Sequence, residues 1–226
     1  GLFFPDYNFN KYIISNFDKN DDGIIDTLEV NYITKLNVDS LNIYDITGLE
    51  YLINLEYLSC KNNLFNNINI KQNINLKVFD CSYNYLLTYL DVSKCLKLES
   101  LYCSNNRINN LDFTKNINLT FLDCSNNYFL TYIDVSKCLK LESLYCGNNS
   151  INNLDISNNT NLKILNCYKD SLSLLDVSKN VKLEELTCSR NKLNTLNVSN
   201  NTNLVKLIAY GNKIQEIDVS KSLKLK

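Results

Sequence analysis

The feature that most constrains this chain is a segment of 21 or 22 residues that recurs along most of its length. Residues 98–119 read LESLYCSNNRINNLDFTKNINL, and residues 141–162 read LESLYCGNNSINNLDISNNTNL. The regular copies begin at residues 55, 76, 98, 119, 141, 162, 183 and 204. A fixed period of this length predicts a solenoid, in which each copy forms one coil and stacks only on its neighbours.

Alternation of apolar and polar residues in the first half of each copy predicts a short β-strand. In the pattern L-x-x-L-x-C, Leu101 and Cys103 would face the core, whereas Tyr102 and Ser104 would face outward. Matching strands of successive coils would then pair in parallel, about 4.8 Å apart. We therefore expect an α/β solenoid, a right-handed superhelix with a parallel β-sheet on its concave face.

Residues 1–30 lack the repeat and predict a short helical N-terminal cap. Asp6 is suited to be an N-cap, and apolar residues at near-helical spacing follow it over residues 7–17. Residues 31–226 contain one divergent coil and the eight regular ones. Because Gly1 is not an initiator Met and no C-terminal cap is apparent, we expect a processed chain whose last coil is exposed.

Within the cap, residues 18–29 (DKNDDGIIDTLE) match the calcium-loop pattern D-x-[DN]-x-[DN]-G-x-x-x-x-x-E. Oxygen ligands suit this cation, and Gly23 lies where the loop must turn sharply. The predicted ligands are Asp18, Asn20, Asp22, the carbonyl of Ile24, Asp26 directly or through water, and bidentate Glu29. The pattern predicts one structural calcium ion, and the alternative is an acidic turn in a chain rich in Asp and Asn.

Seven of the nine cysteines hold the same position in successive copies. They are Cys60, Cys81, Cys103, Cys124, Cys146, Cys167 and Cys188. Cys95 and Cys138 instead replace the second recurrent Asn of two longer copies. Disulfides need Cβ atoms about 3.8 Å apart, closer than paired strands place equivalent residues, and metal sites often use a C-x-x-C spacing that is missing here. We therefore expect a ladder of buried free thiols rather than metal or redox centres.

A recurrent asparagine follows each cysteine position by three residues. It occurs as Asn63, Asn84, Asn106, Asn127, Asn149, Asn191 and Asn212. A side-chain amide there can satisfy backbone groups of a buried turn that have no strand partner. Asp170 interrupts the series, so either that coil is looser or the Asp170 carboxylate only accepts hydrogen bonds.

The repeat resembles the leucine-rich repeat, in the bacterial variant where Cys replaces the second strand Leu. It is similar to cysteine-ladder internalins and to secreted or lipid-anchored leucine-rich-repeat proteins of bacterial surfaces. The stretch FPDYNFNKYIISNFDKNDDGIIDTLEV, at residues 4–30, also resembles the EF-hand-like cap that precedes such repeats. The resemblance implies a curved solenoid and an extracellular or cell-surface, protein-binding and often host-directed role.

Outward strand positions carry many aromatic and aliphatic side chains, although such positions are normally polar. Aromatic residues are enriched at the centres of protein interfaces, so these positions predict a contact surface. The alternative is that Tyr is simply abundant, with 15 copies in the chain. The candidate partner-binding residues are Tyr57, Val78, Asp80, Tyr83, Tyr102, Phe121, Asp123, Tyr145, Ile164, Asn166, Tyr168, Ile208 and Tyr210.

Composition argues against several classes of function. The formal net charge of −1 gives no electrostatic reason to expect nucleic acid as a partner. No apolar run approaches the roughly 18 residues that suggest a membrane span. The chain has no His, and neither a nucleophile–base pair nor a phosphate loop is apparent, so we expect no enzymatic activity.

Three roles remain open from the sequence. The first is binding of another protein, such as a host adhesion or immune-regulatory protein, through the concave face. The second is carbohydrate binding, with Tyr faces for stacking and Asp80, Asp123 and Asn166 as hydroxyl partners. The third is a homotypic scaffold, in which exposed ends of the solenoid pair between copies.

Overall fold

Each coil contributes one strand of three residues in the computed structural model, which describes residues 1–226. The strands are β1 Lys35–Asn37, β2 Tyr57–Ser59, β3 Val78–Asp80, β4 Ser100–Tyr102, β5 Phe121–Asp123, β6 Ser143–Tyr145, β7 Ile164–Asn166, β8 Glu185–Thr187 and β9 Lys206–Ile208. They form one sheet, in which every strand pairs in parallel with its neighbours in sequence. The predicted parallel β-solenoid is therefore confirmed.

Equivalent residues of successive copies lie side by side in this sheet. Leu58, Phe79 and Leu101 are direct partners across β2, β3 and β4, and all three are fully buried. The buried apolar side chains form one continuous core that extends from Phe4 to Leu204. Because a slip of one residue would turn the apolar side chains outward, the hydrophobic pattern fixes the register of every column.

The predicted N-terminal helix is present with the expected boundaries. Helix α1 spans Tyr7–Phe17, and the Asp6 side chain caps it by accepting a hydrogen bond from the backbone N–H of Phe9 at 2.9 Å. The Asp6 carboxylate thus satisfies one of the amides that a helix start leaves unpaired. Two shorter helical segments follow, α2 at Thr27–Val30 and a 3-10 helix at Leu49–Tyr51.

Aromatic packing joins the cap to the first coils. Phe9 and Ile13 of α1 are fully buried. Phe4 packs edge-on against Phe9 and Tyr51, with ring centroids 5.4 and 5.8 Å apart. Gly48 has a φ of 106°, and a Cβ at this position would lie 2.3 Å from the Phe4 ring. Only glycine therefore allows the chain to turn so close to Phe4.

The first asparagine ladder performs the role that the sequence predicts. The Asn84 Nδ2 group donates to the carbonyl oxygens of Cys60 and Cys81 at 3.2 and 2.9 Å. The Asn84 Oδ1 atom accepts a hydrogen bond from the backbone N–H of Asn63 at 3.1 Å. One buried amide thus links two consecutive coils where the chain leaves the strand.

A second asparagine ladder lies in the other half of the coil, and its role was not predicted from the sequence. Asn159 is typical, because its Nδ2 group donates to the carbonyl oxygens of Val135 and Cys138 at 3.0 and 2.9 Å. Its Oδ1 atom is buried without a partner. The other members with this arrangement are Asn73, Asn116, Asn180 and Asn201. In two coils a cysteine thiol, Cys95 or Cys138, takes this place.

All nine cysteines are buried and free, which confirms the predicted ladder of thiols. Burial raises the pKa of the Cys95, Cys138 and Cys188 thiols to about 12. The pKa of the Cys103 thiol is also raised well above its usual value, first by burial and then by the neighbouring cysteines. The thiols therefore stay protonated near neutral pH and pack as small apolar groups.

Asp170 replaces an asparagine of the first ladder but supplies only half of its hydrogen bonds. Its Oδ1 atom accepts from the backbone N–H groups of Asn149 and Ile151 at 3.1 and 3.3 Å. Its Oδ2 atom is buried without a partner. As a result the carbonyl oxygens of Cys146 and Cys167 each receive one asparagine hydrogen bond, whereas that of Cys81 receives two. The sequence allowed either a looser coil or a carboxylate that only accepts hydrogen bonds, and the structure shows the second.

Candidate interaction face

The outward side chains of the strands form one face, which we call the sheet face. All strand residues named as candidates lie on it and are partly buried: Tyr57, Val78, Asp80, Tyr102, Phe121, Asp123, Tyr145, Ile164, Asn166 and Ile208. The parallel register sorts them into two columns. Phe121 belongs to the column of first strand residues, and Tyr102 and Tyr145 belong to the column of last strand residues.

Three aromatic rings meet at the centre of the sheet face. The ring centroids of Tyr102 and Phe121 are 4.6 Å apart, with an angle of 31° between the ring planes. Phe121 and Tyr145 are 5.6 Å apart at 35°. Because the three residues come from consecutive strands β4, β5 and β6, the sheet holds their backbones in place. The result is a continuous aromatic row, with each ring partly exposed.

Carboxylates flank this aromatic row. Asp80 is the direct strand partner of Tyr102, and Tyr102 is in turn the partner of Asp123. The Oδ1 atoms of the two aspartates accept hydrogen bonds from the backbone N–H groups of Ser82 and Ser125, both at 3.0 Å. Neither aspartate forms a salt bridge. Burial first, and then the charges of Asp80 and Asp123, raise the pKa of Tyr102.

A second aromatic cluster lies at the C-terminal end of the sheet, just beyond the strands. The Arg190 guanidinium carbon lies 5.8 Å from the centroid of the Tyr168 ring and 5.9 Å from that of the Tyr210 ring. These distances are within the range of cation–π attraction. Two of the candidate tyrosines, Tyr168 and Tyr210, are therefore brought together around a cation of the chain itself.

Two side chains depart from simple strand alternation. Tyr83 has a φ of 60°, in the left-handed region, and lies in the turn after the strand, with its ring 6.2 Å from that of Tyr85. Ser104 is buried, although alternation predicts that it faces outward. The reason is the same in both cases, because the strands end before these residues and the chain turns away.

The predicted calcium loop is closed by its own hydrogen bonds. The Asp18 Oδ2 atom accepts from the backbone N–H of Gly23 at 2.8 Å. The two carboxylate oxygens of Glu29 accept from the N–H groups of Lys19 and Asp26 at 2.8 and 3.0 Å. Asn20, Asp22 and the amide of Ile24 form further hydrogen bonds within the loop. The Asp26 Oδ1 atom accepts from the N–H groups of Leu28 and Glu29 at 2.7 and 3.0 Å, as the N-cap of α2.

The oxygen donors of this loop suit a hard cation such as calcium, but its acidic side chains do not converge on one point. Every proposed donor is an oxygen atom, and the Asp18 Oδ1 atom is buried without a partner. However, no three side chains of His, Cys, Asp or Glu lie close enough together to hold a metal ion. Closing around calcium would therefore require the Glu29 carboxylate to exchange backbone partners for the ion.

A set of exposed aromatic residues lies on the two longer coils and was not predicted from the sequence. Tyr85 and Tyr89 of one coil recur 43 residues later as Tyr128 and Tyr132. All four are more than half exposed. The sequence signal for them was the extra residue that lengthens these copies to 22 residues. A residue inserted after the buried Asn must bulge out from the coil, which exposes the side chains around it.

Taken together, the repeated strand, the buried leucine columns, the asparagine ladders and the column of free thiols define a leucine-rich-repeat solenoid of the cysteine-ladder type. No helix of this solenoid is long and apolar enough to cross a membrane.

Solved structures of bacterial proteins share this fold. The functional domain of InlJ from Listeria monocytogenes, which includes a cysteine ladder, is 32% identical with a TM-score of 0.81, over 99% of this chain and 54% of that one. A leucine-rich-repeat protein of Leptospira interrogans is 22% identical with a TM-score of 0.74, over 80% of this chain and 50% of that one. Internalin C2 of Listeria monocytogenes is 22% identical with a TM-score of 0.68, over 99% and 91%.

The chain spans about half the length of the InlJ and Leptospira structures that it matches. No protein-family model matches the sequence, and no curated protein matches it. The likeness to the InlJ domain supports a leucine-rich-repeat fold of the cysteine-ladder type.

Proposed function

We propose that this protein is a non-enzymatic binding module of a bacterial surface or of the extracellular space, which binds another protein through its sheet face. The observation that carries the proposal is the row of Tyr102, Phe121 and Tyr145 on an outward face, whose successive ring centroids lie 4.6 and 5.6 Å apart. Rigid aromatic side chains lose little conformational freedom on binding and dominate the energy of many interfaces. A host protein is the partner class that we favour.

The arrangement of the face supports a protein partner. The row lies on β-strands that are paired on both sides, so its members need little ordering when a partner binds. Side chains of moderate polarity, such as Ser100 and Ser143, surround the rings. An apolar centre with a polar surround is the usual anatomy of a specific protein interface.

Site-specific photo-crosslinking tests the proposal directly. A photoreactive residue at Ser100 or Ser143, beside the aromatic row, should crosslink to a host-cell surface protein, whereas one at the exposed Thr114 should not. Replacing the three aromatic residues with Ala should abolish the crosslink while the far-UV circular dichroism spectrum is retained. Equal crosslinking from Thr114, or capture that survives the triple substitution, would contradict the use of this face.

Two other roles predict different results. A carbohydrate-binding module would retain specific glycans on a glycan array and lose them when Tyr102 and Tyr145 are replaced with Ala. A homotypic scaffold would change its mass with concentration in a dilution series followed by light scattering. We favour the protein partner because the centre of the face is a row of three aromatic rings with small polar side chains beside it.

We also propose that residues 18–29 bind one calcium ion, with Asp18, Asn20, Asp22, the Ile24 carbonyl, Asp26 and Glu29 as the ligands. The unpartnered Oδ1 atom of Asp18 and the all-oxygen donor set support this proposal. The ion would have a structural role in the cap, since the loop is remote in sequence from the aromatic row.

A further inference from the structure

We propose that the sheet face binds cationic side chains, above all arginine, from a basic and extended segment of its partner. The inference rests on the proposed protein-binding role and adds the chemistry of the partner. Its site is the column of last strand residues, in which Asp80, Tyr102, Asp123 and Tyr145 are successive direct partners. Carboxylate and aromatic side chains therefore alternate along four neighbouring strands.

The negative charge of this column is not neutralised within the chain. Strands β3 to β7 contain no Lys or Arg residue. The salt bridges nearest in sequence, Lys77 with Glu56 and Lys163 with Glu142, use other carboxylates. Asp80 and Asp123 each leave their Oδ2 atom without a hydrogen bond from the chain. A partner that meets this face thus encounters two fixed, unpaired carboxylates.

The aromatic members of the column suit the same ligand. A guanidinium group is attracted to the face of an aromatic ring and also pairs with a carboxylate through two N–H groups. The chain already contains such a contact, because the Arg190 guanidinium lies within 6 Å of both the Tyr168 and Tyr210 rings. In the column, each Tyr has a carboxylate on the adjacent strand. One arginine can therefore contact an aromatic ring and a carboxylate at the same time.

The spacing of the carboxylates fits an extended chain. Asp80 and Asp123 are separated by one intervening strand, which places them about 10 Å apart at the usual strand spacing. In an extended polyproline II segment, which has three residues per turn and rises about 3.1 Å per residue, side chains three positions apart point the same way and lie about 9 Å apart. A segment that lies across the strands would therefore present arginines to both carboxylates in turn.

The carboxylates can be removed without disturbing the fold. Asn166 occupies the same column, and its Oδ1 atom accepts the equivalent turn hydrogen bond from the N–H of Tyr168 at 3.1 Å. The double substitution Asp80→Asn and Asp123→Asn should therefore keep both turns while it removes two charges.

A matched control removes the same charge elsewhere. Asp112 and Asp155 are exposed and accept similar turn hydrogen bonds in the second half of their coils. Asn197 fills the corresponding position of another coil with the same hydrogen bond, from Ser199. The substitutions Asp112→Asn and Asp155→Asn therefore change the net charge of the protein equally but leave the sheet face intact.

The probe is an acetylated hexa-arginine peptide with a fluorescent label, and its binding is followed by anisotropy at physiological salt. We expect the wild-type chain to bind it more tightly than hexalysine, and not to bind hexaglutamate. The Asp80→Asn/Asp123→Asn variant should bind about tenfold more weakly, as should Tyr102→Leu/Tyr145→Leu, and the control variant should change less than about twofold. Equal losses in the face and control variants, or equal affinity for the arginine and lysine peptides, would overturn the inference.

The crosslinking experiment distinguishes the two proposals. If the partner crosslinks at Ser100 or Ser143 but binds the Asp80→Asn/Asp123→Asn variant unchanged, the face is an interface and the cationic chemistry is wrong. If no crosslink forms at the sheet face while hexa-arginine binds as expected, the chemistry holds and the proposed function fails.

Discussion

The Oδ1 atom of Asp170 accepts a hydrogen bond from the backbone N–H of Asn149, one coil away, at 3.1 Å. Its other oxygen is buried and has no donor to meet. Burial raises the pKa of Asp170 from 3.8 to about 7, although the hydrogen bonds from the N–H groups of Ile151 and Asn149 act to lower it. This single carboxylate is therefore the place where the first asparagine ladder depends on pH.

We predict that Asp170→Asn stabilises the protein at pH 8, by about 1–3 kcal/mol, because the amide supplies the missing donors to the Cys146 and Cys167 carbonyls. Since the folded pKa of Asp170 is raised, its contribution to stability is complete below about pH 4 and is lost as the pH rises through about 7. The advantage of the variant should accordingly shrink as the pH falls. Urea unfolding of both proteins between pH 8 and pH 5 measures this difference, and a gap that stays constant or widens toward pH 5 would contradict it.

The thiol ladder predicts a sharp contrast in reactivity. In the native protein the nine buried cysteines should react slowly with Ellman's reagent at pH 8, because burial keeps them protonated. After unfolding without reductant, all nine should titrate. Rapid labelling of several native cysteines, or fewer than nine after unfolding, would be inconsistent with the ladder.

The second asparagine ladder predicts a large difference between two adjacent residues. Asn159→Ala removes the donor to two buried carbonyls and should lower the free energy of unfolding by about 2–4 kcal/mol. Asn158→Ala removes only an exposed hydrogen bond to Ser136 and should change it by less than about 0.5 kcal/mol. Denaturant unfolding of the pair provides the comparison, and similar values would refute a structural role for the ladder.

The calcium proposal predicts a stabilised cap. Addition of EDTA should lower the melting temperature of the cap while the distant repeats stay folded, since ligand bound only to the native state stabilises it by about 2.7 kcal/mol at a hundredfold excess over the Kd. Titration calorimetry should detect calcium binding to the wild-type chain and to Asp21→Asn, which alters no proposed ligand, but not to Glu29→Gln. An unchanged melt together with the absence of binding heat would rule the site out.

The repeat made the columns predictable from the sequence. Each coil is short, and its apolar pattern allows only one register. The residues equivalent to Leu101, Cys103 and Asn106 in the other copies could therefore be placed by aligning the repeats. For the same reason, the sequence placed Tyr102, Phe121 and Tyr145 on one face. Helix α1 was predictable because its N-cap and its apolar spacing agree.

Side-chain direction after the strand could not be read from alternation. Tyr83 adopts a left-handed backbone in a turn where other coils place Asn62, Asn105 or Gly211, residues that favour this conformation. That recurrent Asn or Gly was a usable signal. The distances between rings, the unpaired Oδ1 atoms of the second ladder and the backbone partners of Glu29 depend on rotamers, which periodicity does not determine.

The two longer coils alternate with ordinary ones, so Tyr85 and Tyr128 belong to units of 43 residues with identical register. Recombination between two such units in the gene would insert or delete a pair of coils without a mismatch at either junction. Every inherited change of this kind would also add or remove one aspartate–tyrosine pair. The length of the solenoid and the number of its aspartate–tyrosine pairs would then vary together among descendants of this gene.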